Sequence, residues 1–194
     1  NYKKSPLWKY LGTDKSNLLP TPMMNIINGG AHADNSLDFQ EIMIMPVGAS
    51  TFSEALRWGS EIFHNLKTIL SENGLSTAVG DEGGFAPDIK NLENALIFVL
   101  KAIEKSGRKI NEEIQISIDA AASELYENEK YNLKGENLSY DNNQMINMWS
   151  NLVSKFPIIS IEDPLEENDF DGFSHLTSEI GNNVQIVGDD LFVT

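Results

Sequence analysis

Acids that follow short runs of β-branched residues are the chemically telling feature of this chain. Ile116-Ser117-Ile118-Asp119, Ile159-Ser160-Ile161-Glu162-Asp163 and Ile186-Val187-Gly188-Asp189-Asp190 share that form. Each reads as a buried parallel strand ending in a carboxylate. Acids crowded at the ends of neighbouring strands repel one another unless a cation sits between them. An all-carboxylate oxygen site suits Mg²⁺, a hard cation that keeps several waters. A metal site is therefore expected. Asp163 and Asp190 adjoin these acids, but strand alternation turns neighbours to opposite faces. They are left out of the expected ligand set.

The intervals from Asp119 to Glu162 and from Glu162 to Asp189 each leave room for a helix between strands. In a barrel of such units the strand C-termini converge on one mouth, which carries the active site. Earlier in the chain, Met23 to Ile27 and Asp38 to Val47 read as two strands, broken by Asn28-Gly29-Gly30. Thr51-Phe52-Ser53-Glu54 fits a capping box. Ala55, Leu56, Gly59, Ile62, Phe63, Leu66, Ile69 and Leu70 then keep helical period until Asn73-Gly74. The loop Val79-Gly80-Asp81-Glu82-Gly83-Gly84 leads to a second helix from Asn91, with Ala95, Leu96, Val99, Leu100 and Ile103 on one face. Tyr126 to Leu138 is polar and reads as a surface hairpin or loop. Two further helices carry Met145, Ile146, Trp149, Leu152 and Val153, then Phe173, Leu176 and Ile180. The order is two strands, two helices, then strand–helix units.

The bulk properties narrow the function. The chain has 194 residues, 41% of them hydrophobic and 9% aromatic, enough for a core. A formal charge of −15 and a pI near 4.4 repel nucleic acid. Cysteine is absent, which excludes disulfides and thiolate metal sites. No apolar run reaches membrane-spanning length, so membrane insertion is not expected; with no cysteine in the chain, a reduced cytoplasm is the default location. The chain starts at Asn1 rather than Met and stops just after a strand-like segment, so it reads as a fragment.

This element order and these motifs resemble the barrel domain of the enolase (phosphopyruvate hydratase) family. Met23-Met24-Asn25-Ile26-Ile27-Asn28-Gly29-Gly30-Ala31-His32 is similar to its first barrel strand and mobile histidine loop. Phe39-Gln40-Glu41-Ile42-Met43-Ile44-Met45-Pro46 resembles the second strand, and Val79 to Gly84 the acid-bearing loop. Ser160-Ile161-Glu162-Asp163-Pro164 and Val187-Gly188-Asp189-Asp190-Leu191 resemble two metal-ligand strands. The resemblance implies an α/β fold, a partial TIM-like barrel. Residues 1–22 would join it to a small N-terminal domain, and residues 23–194 would be its first part. The family's N-terminal α+β domain and final barrel strands are absent here. With those strands go its general-base lysine, its phosphate-binding Arg-Ser pair and a second lysine.

The resemblance also implies roles. Asp119, Glu162 and Asp189 would bind Mg²⁺. Glu82 would donate a proton to the leaving hydroxide, so its pKa should be raised, and Glu41 would assist. Gln40 would contact substrate, and His32 would close over it. His64 and His175 read as structural. The implied reaction is the reversible dehydration of 2-phosphoglycerate to phosphoenolpyruvate, a step of glycolysis, with this chain alone inactive. The implied assembly is a homodimer or a larger assembly of dimers, with a cell-surface or secreted pool beside the cytoplasmic one. The alternatives are another acid dehydratase of the enolase superfamily, or a truncated barrel that only binds a partner.

Overall fold

The computed structural model describes residues 3–13 and 15–193. The joining segment expected over 1–22 therefore includes Asn1, Tyr2 and Asp14, which lie outside the described residues, as does Thr194. Within that segment α1 (Leu7–Leu11) is a short helix with no buried residue.

Strand β1 (Met24–Asn28) pairs antiparallel with β2 (Glu41–Met45). β1 is shifted by one residue from the expected Met23–Ile27, and β2 is shorter than the expected Asp38–Val47. Residues 38–40 close a loop instead, since the Gly29 N–H donates to the Gln40 carbonyl at 2.9 Å. Helices α2 (Phe52–Glu72) and α3 (Leu92–Lys105) follow, packed on each other. Strand β3 (Gln115–Asp119) then runs antiparallel to β2. After it come β4 (Tyr126–Glu127), β5 (Lys130–Leu133) and β6 (Leu138–Tyr140), a separate antiparallel meander. Helix α4 (Asn142–Lys155) leads to β7 (Ile158–Glu162), and α5 (Phe170–Ile180) to β8 (Gln185–Val187). The sheet order is β1-β2-β3-β7-β8, with the last two pairings parallel. This is the expected ββαα arrangement followed by βα units, an α/β sheet that does not close into a barrel among the described residues.

Side-chain alternation divides the sheet. Ile42, Ile44, Ile116, Ile118 and Ile161 join one core with Ile62, Leu66, Leu96, Val99 and Trp149 of the helices. Met43, Ser117 and Ser160 are also buried but alternate onto the opposite face. Helix ends follow local chemistry. Thr51 Oγ1 accepts the Glu54 N–H at 3.1 Å, but the Glu54 carboxylate turns forward to Arg57 and to Trp58 Nε1. Only half of the expected capping box forms there. The complete one is at α4, where Asp141 and Gln144 each bond the other's backbone. Trp58 is buried on the α2 stripe while Leu56 is exposed.

The expected surface hairpin forms over Tyr126 to Leu138 and is mostly exposed, but two of its side chains are core. Tyr131 and Leu133 have no exposed surface, and Tyr131 Oη accepts the Glu166 N–H at 3.0 Å. His64 and His175 are exposed on α2 and α5, and His175 pairs with Glu179 at 3.2 Å.

Candidate metal and acid–base site

One transverse row of the sheet positions the polar groups. Register pairs Asn28 with Glu41, Glu41 with Asp119, Asp119 with Glu162, and Glu162 with Val187. Residues paired in one row project to the same face. Because β2 runs antiparallel to β3, its acid must stand at its N-terminal end to reach the rim where β3 and β7 carry theirs at the C-terminal end. That is why Gln40 and Glu41 precede an apolar run while Asp119 and Glu162 follow one.

Asp119 is buried and well held. Gln40 Nε2 donates to its Oδ2 at 2.9 Å, and the Ala121 N–H to its Oδ1 at 3.1 Å. Burial pushes its carboxyl up to about 6 despite the Ala121 hydrogen bond, with the charge of Asp163 adding to the shift. Burial, then the charges of Asp119, Asp163, Asp189 and Asp190, push Glu162 up to about 7.

Asp163 departs from the expectation that alternation turns it away. The strand has ended at Glu162, and Asp163 takes a left-handed φ of +41°. Its carboxylate swings back to the rim, 2% exposed. There an oxygen of each of Asp119, Glu162 and Asp163 lies within 4.8 Å of the others. Asp163 also accepts N–H bonds from Asp189, Asp190 and Leu191, fixing the turn after β8. Asp189 stands at that turn, exposed, and groups closely with Asp163 and Asp190 rather than with Asp119 and Glu162. The structure thus brings Asp119, Glu162 and Asp189 to one rim, with Asp163 between them.

The other half of the site lies beside β1. The Gly80–Phe85 segment runs along this edge through the bonds Phe85 N–H to Ile26 O and Asn28 N–H to Phe85 O, each 2.9 Å. A Cβ on Gly84 would meet the Ile27 nitrogen at 2.9 Å, so only glycine allows this close approach. Glu82 is thereby set against β1, where Asn28 Nδ2 donates to it at 3.0 Å and Asn25 Nδ2 at 3.3 Å. His32 Nδ1 is 2.9 Å from Glu82 Oε1. Hydrogen bonding to Glu82 raises the His32 pKa above its ordinary value against a smaller opposing effect of burial.

Glu82 was expected to be the raised acid, and here the structure differs. Burial pushes it up, but hydrogen bonds from His32, Glu41 and Asn28 outweigh burial and hold it below the usual carboxylate range. Glu41 is the raised group. Burial first, then its hydrogen bond to Glu82 and the charges of Glu82, Asp119 and Glu162, push it to about 8. The opposite directions of the two shifts favour Glu41 as the protonated partner of the pair. Asn25 and Asn28 carried no expected role. The sequence placed them in the right segment, but nothing in it said that their amides face Glu82.

The donor set fits a divalent cation. It consists of carboxylate oxygens from Asp119, Glu162 and Asp163, and among the described residues no lysine or arginine pairs with any of them. Their crowding is what a cation would relieve.

Fold and site together define part of a β/α-barrel domain whose rim carries acids suited to a divalent metal and, beside them, a glutamate pair with a histidine. The family model described as "Enolase, C-terminal TIM barrel domain" matches residues 16–194. The chain belongs to that family. No helix among the described residues is long and apolar enough to cross a membrane.

Proposed function

We propose that this chain supplies the metal-binding and acid half of a Mg²⁺-dependent phosphopyruvate hydratase, which interconverts 2-phosphoglycerate and phosphoenolpyruvate. The observation that carries the reading is the single register row from Asn28 through Glu41 and Asp119 to Glu162, with the His32–Glu82 pair at its β1 end. Removing a proton next to a carboxylate adds charge to a group already charged. Mg²⁺ supplies Lewis-acid stabilisation for that charge when bound. Asp119, Glu162 and Asp163 would hold it at the cluster the geometry offers, with Asp189, the third ligand that the resemblance implies, reaching the same rim beside Asp163.

The protein's own groups would do the rest. Loss of the β-hydroxyl needs a proton donor on that side of the substrate. Glu41, the carboxyl that burial and Glu82 push up, would hold the proton, and its hydrogen bond with Glu82 would let either carboxyl deliver it. His32, on the loop between β1 and β2, would cover the substrate and pair with its anionic groups when protonated. Gln40 both steadies Asp119 and faces the same rim. On this reading proton abstraction would fall to a lysine that the resemblance places outside the matched motifs. A homodimeric assembly and a cytoplasmic setting complete the reading.

Calorimetric titration with Mg²⁺, then with 2-phosphoglycerate in its presence, tests this. We expect Mg²⁺ binding, metal-dependent binding of 2-phosphoglycerate, and no phosphoenolpyruvate formed by the 194-residue chain. Failure to bind Mg²⁺ at any concentration that keeps the chain folded would overturn the metal assignment. Turnover by this chain would place the base among these residues.

A further inference from the structure

The loop carrying His32 is closed at its base and pressed from one side. The Gly29 N–H donates to Gln40 O at 2.9 Å and the Gly30 N–H to Leu37 O at 2.8 Å. Residues 30–37 are therefore a compact excursion between β1 and β2. Asn35 braces it from within, donating to the carbonyls of Asn28 and Pro87 at 3.0 Å each.

The outer brace comes from far along the chain. In the turn between β5 and β6, the Gly135 N–H donates to both oxygens of Asp38, at 3.2 and 3.1 Å. The Lys134 and Glu136 amides also bear on that half-buried carboxylate. Gly135 touches the loop so closely that a Cβ would run into the Ser36 carbonyl oxygen and lie 3.0 Å from that of Lys90. The turn is itself rooted. Tyr131 and Leu133 anchor its strand in the core, and Asn91, the cap of α3, hydrogen-bonds Glu136. A cleft of about 400 Å³ lies beside this contact, lined by Gly30, Ala31, Asp38, Glu124, Lys134 and Gly135 among others. The loop is held at its Asp38 end.

We propose that Asp38 and Gly135 form a latch by which the β4–β6 meander positions the His32 loop against Glu82. Asp38 acts here as a positioning residue and touches no reacting group. The inference rests on the reading above only in counting His32 as part of the site. Its geometric content, that the meander sets where His32 sits, is independent of the substrate.

The test uses the 194-residue chain, whose three histidines give separable imidazole proton signals in NMR. Asp38→Ala and Gly135→Ala should each move the His32 titration midpoint down toward the free-imidazole value of about 6.5. Amide exchange over residues 31–37 should accelerate about tenfold, as expected for one lost charge-assisted hydrogen bond. Asp38→Asn keeps an oxygen that accepts the Gly135 N–H and should restore most of the parent behaviour. Mg²⁺ affinity should stay within about twofold in all three. An unchanged His32 midpoint in both Asp38→Ala and Gly135→Ala would overturn the latch. The parent chain gives a further check that needs no variant: a Gly135 amide exchanging as fast as an open surface turn would refute it as well. If the parent failed to bind Mg²⁺ or 2-phosphoglycerate, the functional reading would fall while these outcomes still decided the latch.

Discussion

At the scale of single residues, the proposed acid chemistry rests on a pair rather than on one glutamate. Hydrogen bonding to Glu82 is the largest cause of the raised His32 pKa and, after burial, of the raised Glu41 pKa. Glu82→Gln should therefore lower the His32 midpoint and bring Glu41 back toward the ordinary carboxylate range. NMR titration of the His32 ring and of the Glu41 carboxyl carbon reads both, and an unmoved Glu41 would mean that burial alone sets its pKa. Asp119→Asn should weaken Mg²⁺ binding by at least about tenfold, measured by calorimetry, because it removes a ligand oxygen and leaves Gln40 without its charged partner. Asp119 and Glu162 were legible in the sequence because each ends a β-branched run. Asp163 was not, because alternation holds only while the chain remains a strand. The left-handed turn at Asp163 carried one weak signal, the following Pro164, which disfavours a helical conformation and promotes a turn.

At the scale of elements, periodicity read the helices well and the meander poorly. Helices announce themselves over many residues, as the α2, α3 and α4 stripes do, whereas β4, β5 and β6 offer two to four residues each. Polar neighbours such as Asn132 and Lys134 mask the two residues that matter. Tyr131 and Leu133 both point into the core, and a short strand's buried face is only visible once its partners are known. Two substitutions gauge what this element contributes. Tyr131→Phe leaves the Glu166 N–H without its acceptor and should cost about 1–2 kcal/mol. Leu133→Ala should cost about 2–4 kcal/mol through the cavity it opens. Urea unfolding measures both. A Leu133→Ala effect below about 0.5 kcal/mol, the level of ordinary surface changes, would return the meander to the status of a surface hairpin.

At the scale of the whole molecule, crowding acids on one rim makes stability depend on pH in an unusual direction. Asp119, Glu162 and Glu41 titrate in the folded chain at about 6, 7 and 8, against ordinary values of 3.8, 4.5 and 4.5. Across that interval the folded state holds more protons than the unfolded one, so stability falls as pH rises. This contribution is complete below about pH 4 and lost above about pH 8. His32, also raised, has the same sign. Glu82 and Glu54 are lowered, and their contribution is lost only as pH falls below the ordinary carboxylate range, outside this window. The metal-free chain should therefore melt at a lower temperature at about pH 8.5 than at about pH 5. On the proposed function Mg²⁺ would bind the deprotonated rim of the folded state alone, so saturating Mg²⁺ should raise the melting temperature most at the alkaline end and flatten the pH dependence. Asp119→Asn removes one of the crowded charges, and should make the metal-free chain less sensitive to pH while abolishing the Mg²⁺ effect. Scanning calorimetry across this range decides the matter. A melting temperature that is flat or rises with pH in the absence of metal would show that the rim acids do not oppose folding, and that their approach needs no cation to hold it.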